Sequence, residues 1–259
     1  MFDKTIKVLF ISFALAGLNA QKKIIGTIKK PKLVVGIVVD QMRWDYLYRY
    51  EKKYRKDGFK RMLKEGYSLN NVHIPYIPTI TAVGHTSIYT GSVPSIHGII
   101  GNNWLDKETG KSVYCTADPN VAPVGSDDRK NGSHSPVNLW TTTGTDQLRI
   151  ASNFRSKVVG VSLKDRASIL PAGHNPTAAF WFDDSTGNFI TSTYYMNELP
   201  KWVNDFNNEK HPEKFLSNGW NTILPINEYT ESTQDNVLWE QPVGSAKQPV
   251  FPYENLMTD

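Results

Sequence analysis

Thr81 opens the run Thr-Ala-Val-Gly-His, with Thr79 two residues before it and Thr86 and Thr90 after it, around His85. A threonine hydroxyl in such a run has two uses. It can cap a helix by accepting hydrogen bonds from free backbone N–H groups. It can also stand where the positive end of a helix holds an anion. Asp40, at the end of the apolar run Leu33–Val39, is the next residue with a chemical address. In open α/β sheets, ligands lie beyond the carboxyl ends of strands. A carboxylate in that place can equally cap the helix that follows.

Two further groups are candidates for handling an anion. At the end of the run Val158–Leu163 comes Lys-Asp-Arg. On an extended backbone Lys164 and Arg166 project together while Asp165 turns away. Two cations side by side repel unless an anion lies between them, and a guanidinium fork beside an ammonium suits a phosphoryl group. The alternative is a solvated strand end with both side chains in water. Asn102 and Asn103 follow flexible glycines. An amide there can donate to a phosphoryl oxygen without adding charge, and Gly-Asn-Asn can also be a plain turn.

These residues need a scaffold, and the sequence supplies one of α/β type. Leu33–Val39 and Val158–Leu163 are nearly continuous apolar runs rich in β-branched residues, as expected of strands buried on both faces. The stretch 57–66 predicts a short amphipathic helix stopped by Gly66, and residues 82–90 a helix closed by Gly91. Residues 116–136 are polar and turn-rich and read as a surface loop. A helix with Thr145 as its cap follows near residues 143–155. Residues 178–193 predict a hairpin around a Gly-containing turn, and residues 199–208 a helix.

Composition narrows the classes. With 259 residues the chain can bury a sizeable core. A net charge of +4 without a polybasic tract favours small anionic ligands and gives no footprint for nucleic acid. The single Cys115 excludes an intrachain disulfide and any CxxC motif. Neither GxxxxGK[ST] nor GxSxG occurs, which argues against P-loop and serine-hydrolase chemistry. Residues 1–20 carry Lys4 and Lys7, a short apolar run and a small residue at Ala20. They read as a signal peptide, too short in its apolar part for a membrane anchor, so the protein is expected to be exported, periplasmic or secreted.

Taken together, Asp40, the threonine at a helix start, Asn102 and the Lys-x-Arg pair resemble the alkaline phosphatase superfamily. The likeness is to its phosphate-irrepressible secreted alkaline phosphatases, relatives of the type I phosphodiesterase/nucleotide pyrophosphatase group. It is carried by residues 38–47, 78–104, 155–174 and 189–207. The resemblance implies a central, largely parallel sheet flanked by helices. Residues 21–31 then form a short leader, and residues 32–259 the N-terminal part of a catalytic domain that is incomplete in this chain. It implies that Thr81 is the nucleophile and passes through a phosphothreonine, with Thr79 only a preceding position. Asp40 and Thr81 are implied as zinc ligands, and Asn102, Lys164 and Arg166 as the groups that bind the phosphoryl moiety of small phosphomonoesters.

The same resemblance implies two zinc ions, with further ligands from an Asp-x-x-x-His motif, an Asp-His pair and a distant His. None of these occurs, and the six histidines are not suitably spaced. The chain is therefore expected to be the N-terminal part of a longer enzyme and inactive alone. Two alternatives stay open: a phosphodiesterase or nucleotide pyrophosphatase of the same superfamily, and a non-catalytic phosphate-binding relative. No protein partner is implied.

Overall fold

An apolar run becomes a strand only where a neighbour completes its backbone hydrogen bonds. The computed structural model describes residues 31–254 and 256, so the expected signal peptide lies outside the described residues. Residues 31–39 belong to a separate unit from the rest of the chain and contain no helix or strand. The expectation of a buried strand at Leu33–Val39 is thus corrected. Leu33 and Ile37 are 78% and 73% exposed, because no strand among the described residues pairs with the run.

From Asp40 onward the chain forms a second unit. It begins with α1 (Tyr46–Arg49), a 3-10 turn at Glu51–Lys53 and α2 (Phe59–Glu65). Then come α3 (Thr81–Thr90), α4 (Pro94–His97), and a small antiparallel hairpin of β1 (Asn103–Leu105) and β2 (Ser112–Tyr114). β3 (Pro123–Val124), the first strand of the main sheet, is followed by α5 (Arg129–Gly132) and α6 (Gly144–Ala151), and then by the run that supplies the other three strands. That run is β4 (Val159–Ser162), α7 (Asp165–Ala172), β5 (Ala178–Asp183) and β6 (Asn188–Ser192), followed by α8 (Lys201–Asn208) and α9 (His211–Leu216).

The main sheet has the order β3-β6-β5-β4. β4 and β5 run parallel, joined by α7 as a crossover, while β5–β6 and β6–β3 are antiparallel. The architecture is α/β, with a mixed sheet. Alternation along β5 explains its two covered faces. Ala179 and Trp181 pack with Ile169 and Ala172 of α7 and with Ile190. Ala178 and Phe180 turn the other way, onto Val203 of α8. Gly160 lets α7 lie directly on β4, since a β-carbon there would collide with the Ser168 carbonyl.

The run Val158–Leu163 does contain a strand, β4 (Val159–Ser162), but at the sheet's edge among the described residues. Val159 and Val161 are exposed rather than buried on both faces. Residues 116–136 are not simply a surface loop. They include β3 and α5, and Thr116, Asp118, Ser133, His134 and Ser135 are buried. The cap of α6 is Thr143, not Thr145. Its side chain accepts from the Asp146 N–H while Asp146 returns a bond to the Thr143 N–H, a complete capping box.

Candidate active site

Two helix N-termini frame the site, those of α3 and α7. The helices share a core in which Ala82 and Leu170 meet Ile99, Cys115 and Leu139. The cap position of α3 falls on Ile80, whose side chain cannot accept, so Thr81 is the first helical residue and not a cap. Thr81 is nearly buried at 8% exposure, and its Oγ1 donates to Asp40 Oδ2 over 2.7 Å. The neighbouring threonines have a different purpose. Thr86 and Thr90 donate back to the carbonyls of Ala82 and Thr86, one turn earlier. Thr79 is exposed.

Asp40 is held below the usual carboxylate range, first by the Thr81 hydroxyl, with burial opposing. His85, the Gln41 backbone N–H and the Lys164 charge add to the effect. The chain turns sharply after it: Gln41 has a positive φ of 59°, an uncommon conformation for a non-glycine residue. His85 Nδ1 lies 2.8 Å from the Thr81 carbonyl, which only accepts, so that nitrogen carries the proton.

Asn102 meets the same helix end. Its Oδ1 accepts from the Ala82 N–H at 3.0 Å. That bond satisfies one of the free donors of the first turn and fixes which end of the amide accepts, so Nδ2 is its donor end.

The geometry around α7 corrects the extended reading of Lys-Asp-Arg. Only Lys164 is extended; it is the cap residue of α7, and Asp165 and Arg166 lie in the first helical turn. Lys164 is exposed, and its charge is felt at Asp40. Asp165 does not turn away into water. It accepts from the Tyr114 hydroxyl at 2.8 Å through Oδ1 and from the Thr116 hydroxyl through Oδ2. Arg166 Nη1 donates to the Tyr114 hydroxyl at 2.7 Å. Tyr114, Lys164, Arg166, His134 and Trp181 line a cleft of about 890 Å³.

The structure therefore brings Thr81, Asp40 and Asn102 into one hydrogen-bonded group, with Lys164 electrostatically coupled to it. Arg166 is tied in through Tyr114, whose register partner in the β1–β2 hairpin is Asn103. Sequence reasoning missed Tyr114, Thr116 and the role of Asp165, because these contacts span about fifty residues. Two helix N-termini, an ammonium, a guanidinium and an amide form a setting for a multiply charged anion.

The same residues fit only one corner of a metal site. Asp40 and Thr81 bring two oxygen donors together, and no group of three or more His, Cys, Asp and Glu residues is present among the described residues. A catalytic zinc site takes about three protein ligands. His174 is committed elsewhere, to Asp146 and the Leu139 carbonyl. Cys115 is buried, and burial first, then the Asp165 charge, pushes its thiol up to about 12. It is an inert core residue.

Comparison with known proteins follows the same residues. A family model described as type I phosphodiesterase / nucleotide pyrophosphatase matches residues 34–249. Alkaline phosphatase PafA of Elizabethkingia meningoseptica is 70% identical over 242 residues, covering 93% of this chain and 44% of that protein. Alkaline phosphatase PhoV of Synechococcus elongatus is 54% identical, covering 96% of this chain and 47% of that protein. Solved structures of PafA, one wild type and one variant, each match with a TM-score of 0.86 at 73% and 71% identity, covering 87% of this chain and 44% of theirs. The chain spans less than half the length of these relatives. The variant is substituted at a threonine, an asparagine, a lysine and an arginine, and Thr81, Asn102, Lys164 and Arg166 stand at the same intervals here.

Proposed function

The chain belongs to the type I phosphodiesterase / nucleotide pyrophosphatase family, and from that premise we propose that the whole protein is a zinc-dependent phosphomonoesterase of the alkaline phosphatase type that works through Thr81. The observation that carries this reading is the 2.7 Å bond from Thr81 Oγ1 to Asp40 Oδ2 at the N-terminus of a ten-residue helix. The alkaline phosphatase names of two relatives support it, at 70% and 54% identity.

Thr81 Oγ1 attacks phosphorus in line with the ester oxygen. The Oγ1–P bond forms as the P–O bond to the organic group breaks; the Thr81 proton passes to Asp40 Oδ2, and the departing oxygen keeps the electron pair and takes up a proton from solvent. Asp40 Oδ2 takes the hydrogen bond from the hydroxyl, so the oxygen lone pairs face the substrate. Asn102 Nδ2, Lys164, Arg166 and the positive end of α3 hold the non-bridging oxygens as their charge redistributes. Water then attacks the phosphothreonine and gives one proton to solvent, the Oγ1–P bond breaks, Oγ1 regains its proton from Asp40, and inorganic phosphate leaves. Zinc, when bound, would supply Lewis acidity that lowers the pKa of the hydroxyl, and Asp40 and Thr81 are the residues here that would hold it.

The cation pair favours monoesters over diesters. A monoester offers a terminal phosphoryl group with extra charge and free oxygens, whereas a diester places a second organic group there. The test is the ratio of kcat/KM for an aryl phosphomonoester to that for the matching diester, measured on the whole protein before and after Lys164→Ala or Arg166→Ala. Each loss of a charge-assisted bond is worth about 1.5–3 kcal/mol, so the monoester rate should fall roughly ten- to a hundredfold and the ratio with it. An unchanged ratio would favour the diesterase reading suggested by the family's description. Chelation of zinc should abolish turnover. Export is part of the proposal, resting on the basic, apolar and small-residue pattern of residues 1–20. No helix among the described residues is long and apolar enough to cross a membrane.

A further inference from the structure

Arg166 would be a poor anion ligand if its guanidinium were paired face to face with the carboxylate beside it. Asp165 is the adjacent residue in the same helical turn, yet its Oδ1 stands 3.9 Å from Arg166 Nη1. Both oxygens of Asp165 are already engaged, one by the Tyr114 hydroxyl and the other by the Thr116 hydroxyl. The Tyr114 oxygen sits between carboxylate and guanidinium, 2.8 Å from Asp165 and 2.7 Å from Arg166 Nη1.

We propose that Tyr114 is a positioning residue for Arg166, holding the guanidinium by one N–H so that its remaining donors face the phosphoryl group. The inference rests on the reading of Arg166 as part of the phosphoryl clamp. Donor and acceptor roles leave no ambiguity in the direction of the chain of bonds. A guanidinium only donates and a carboxylate only accepts, so Arg166 donates to the Tyr114 oxygen and the Tyr114 proton goes to Asp165. Burial, and after it the negative charge of Asp165, push the phenol well above its usual range, so Tyr114 keeps that proton across the working pH range.

One of the five guanidinium donors is thereby used. Arg166 Nε is shielded from solvent with no hydrogen-bond partner among the described residues, a donor still to be satisfied. The ring adds a second restraint, with the guanidinium carbon 5.9 Å from its centroid. The hairpin completes the arrangement. Tyr114 is paired with Asn103, and the Cys115 N–H donates to the Asn102 carbonyl at 3.0 Å. The same two strands therefore set the amide at α3 and the guanidinium at α7.

The test is a double-mutant cycle on the whole protein, read as affinity for inorganic phosphate by titration calorimetry or inhibition. Tyr114→Phe removes the hydroxyl and keeps the ring, and should weaken phosphate binding about three- to tenfold. In an Arg166→Ala background the same change should do nothing further. Thr116→Val frees an Asp165 oxygen to pair with Arg166 and should weaken binding in the same background-dependent way, which keeps the test open should Tyr114→Phe fold poorly. Equal losses with and without Arg166 would overturn the positioning role alone. No binding of phosphate to the unsubstituted protein would overturn the clamp itself. Phosphate binding with the expected cycle but no monoester turnover would leave Tyr114's role standing and remove the phosphatase reading.

Discussion

Thr81 Oγ1 and Asp40 Oδ2 lie 2.7 Å apart although forty-one residues separate them. The bond points the threonine hydroxyl out of its own helix, so this threonine differs from Thr86 and Thr90, which bond inward to carbonyls of α3. Thr81→Ala in the whole protein should lower kcat for an aryl phosphomonoester on the order of a thousandfold or more, as loss of a nucleophile does elsewhere. Thr79→Ala, at an exposed position, should change it less than about threefold. An essential Thr79 and a dispensable Thr81 would reverse the assignment of the nucleophile.

Asn102 has two jobs that substitution can separate. Its Oδ1 accepts from the Ala82 N–H, and its Nδ2 is the donor assigned to the phosphoryl group in the proposed function. Asn102→Asp keeps an acceptor for Ala82 but replaces the donor with a negative oxygen. Asn102→Ala removes both. Thermal unfolding should show Asn102→Asp close to the unsubstituted protein and Asn102→Ala destabilised by about 1 kcal/mol, the usual cost of a lost helix-end bond. Phosphate affinity should order the other way, with the aspartate variant weaker than the alanine one because of charge repulsion. Equal phosphate affinities in the two variants would mean that Nδ2 does not face the anion.

Asp146 and His174 tie α6 to the end of α7. Burial alone would raise the Asp146 pKa, but a bond from His174 and the backbone N–H groups of Thr143, Asn175 and His174 outweigh it and hold the carboxyl well below its usual range. His174 is raised, first by its bond to Asp146. The two signs give two edges. Asp146 contributes stability that is present above its unfolded value near 3.8 and is lost as pH falls through its lowered folded value. His174 contributes stability that is fully present below 6.5 and is lost as pH rises through its raised folded value. The melting temperature of His174→Gln should therefore lie below the unsubstituted protein at pH 6 and converge on it at alkaline pH. Asp146→Ala should cost about 2–4 kcal/mol near neutrality, since several buried donors lose their acceptor. A constant offset for His174→Gln across that range would remove His174 from the pH dependence.

What could be read in the sequence was what local chemistry decides. Gly91 in the left-handed conformation ends α3 where the Thr90-Gly91 boundary suggested, and the turn after Asp183 makes the expected hairpin. Leu33–Val39 could not be read this way, because β-branched composition marks a capacity to pair and says nothing of whether a partner strand is at hand. Lys-Asp-Arg is legible as a cationic pair but not as a helix start, since Lys164 is still extended and the helix begins directly after it at Asp165. The capping box is Thr143-x-x-Asp146, and Thr145, also a threonine and two residues on, lies inside the first turn. Tyr114 and Asp165 left no local signal at all. Their bond depends on a hairpin and a helix that the sheet and core bring together.

The central claim is that Thr81 carries the phosphoryl group between substrate and water, and covalent mapping tests it most directly. The whole protein would be mixed with a phosphorus-labelled aryl monoester, quenched in acid within the burst of alcohol release, digested and read by mass spectrometry. The expected result is a phosphate on the peptide bearing Thr81, at that residue. Label on Thr79 or any other side chain, or no labelled peptide despite a burst, would contradict the account.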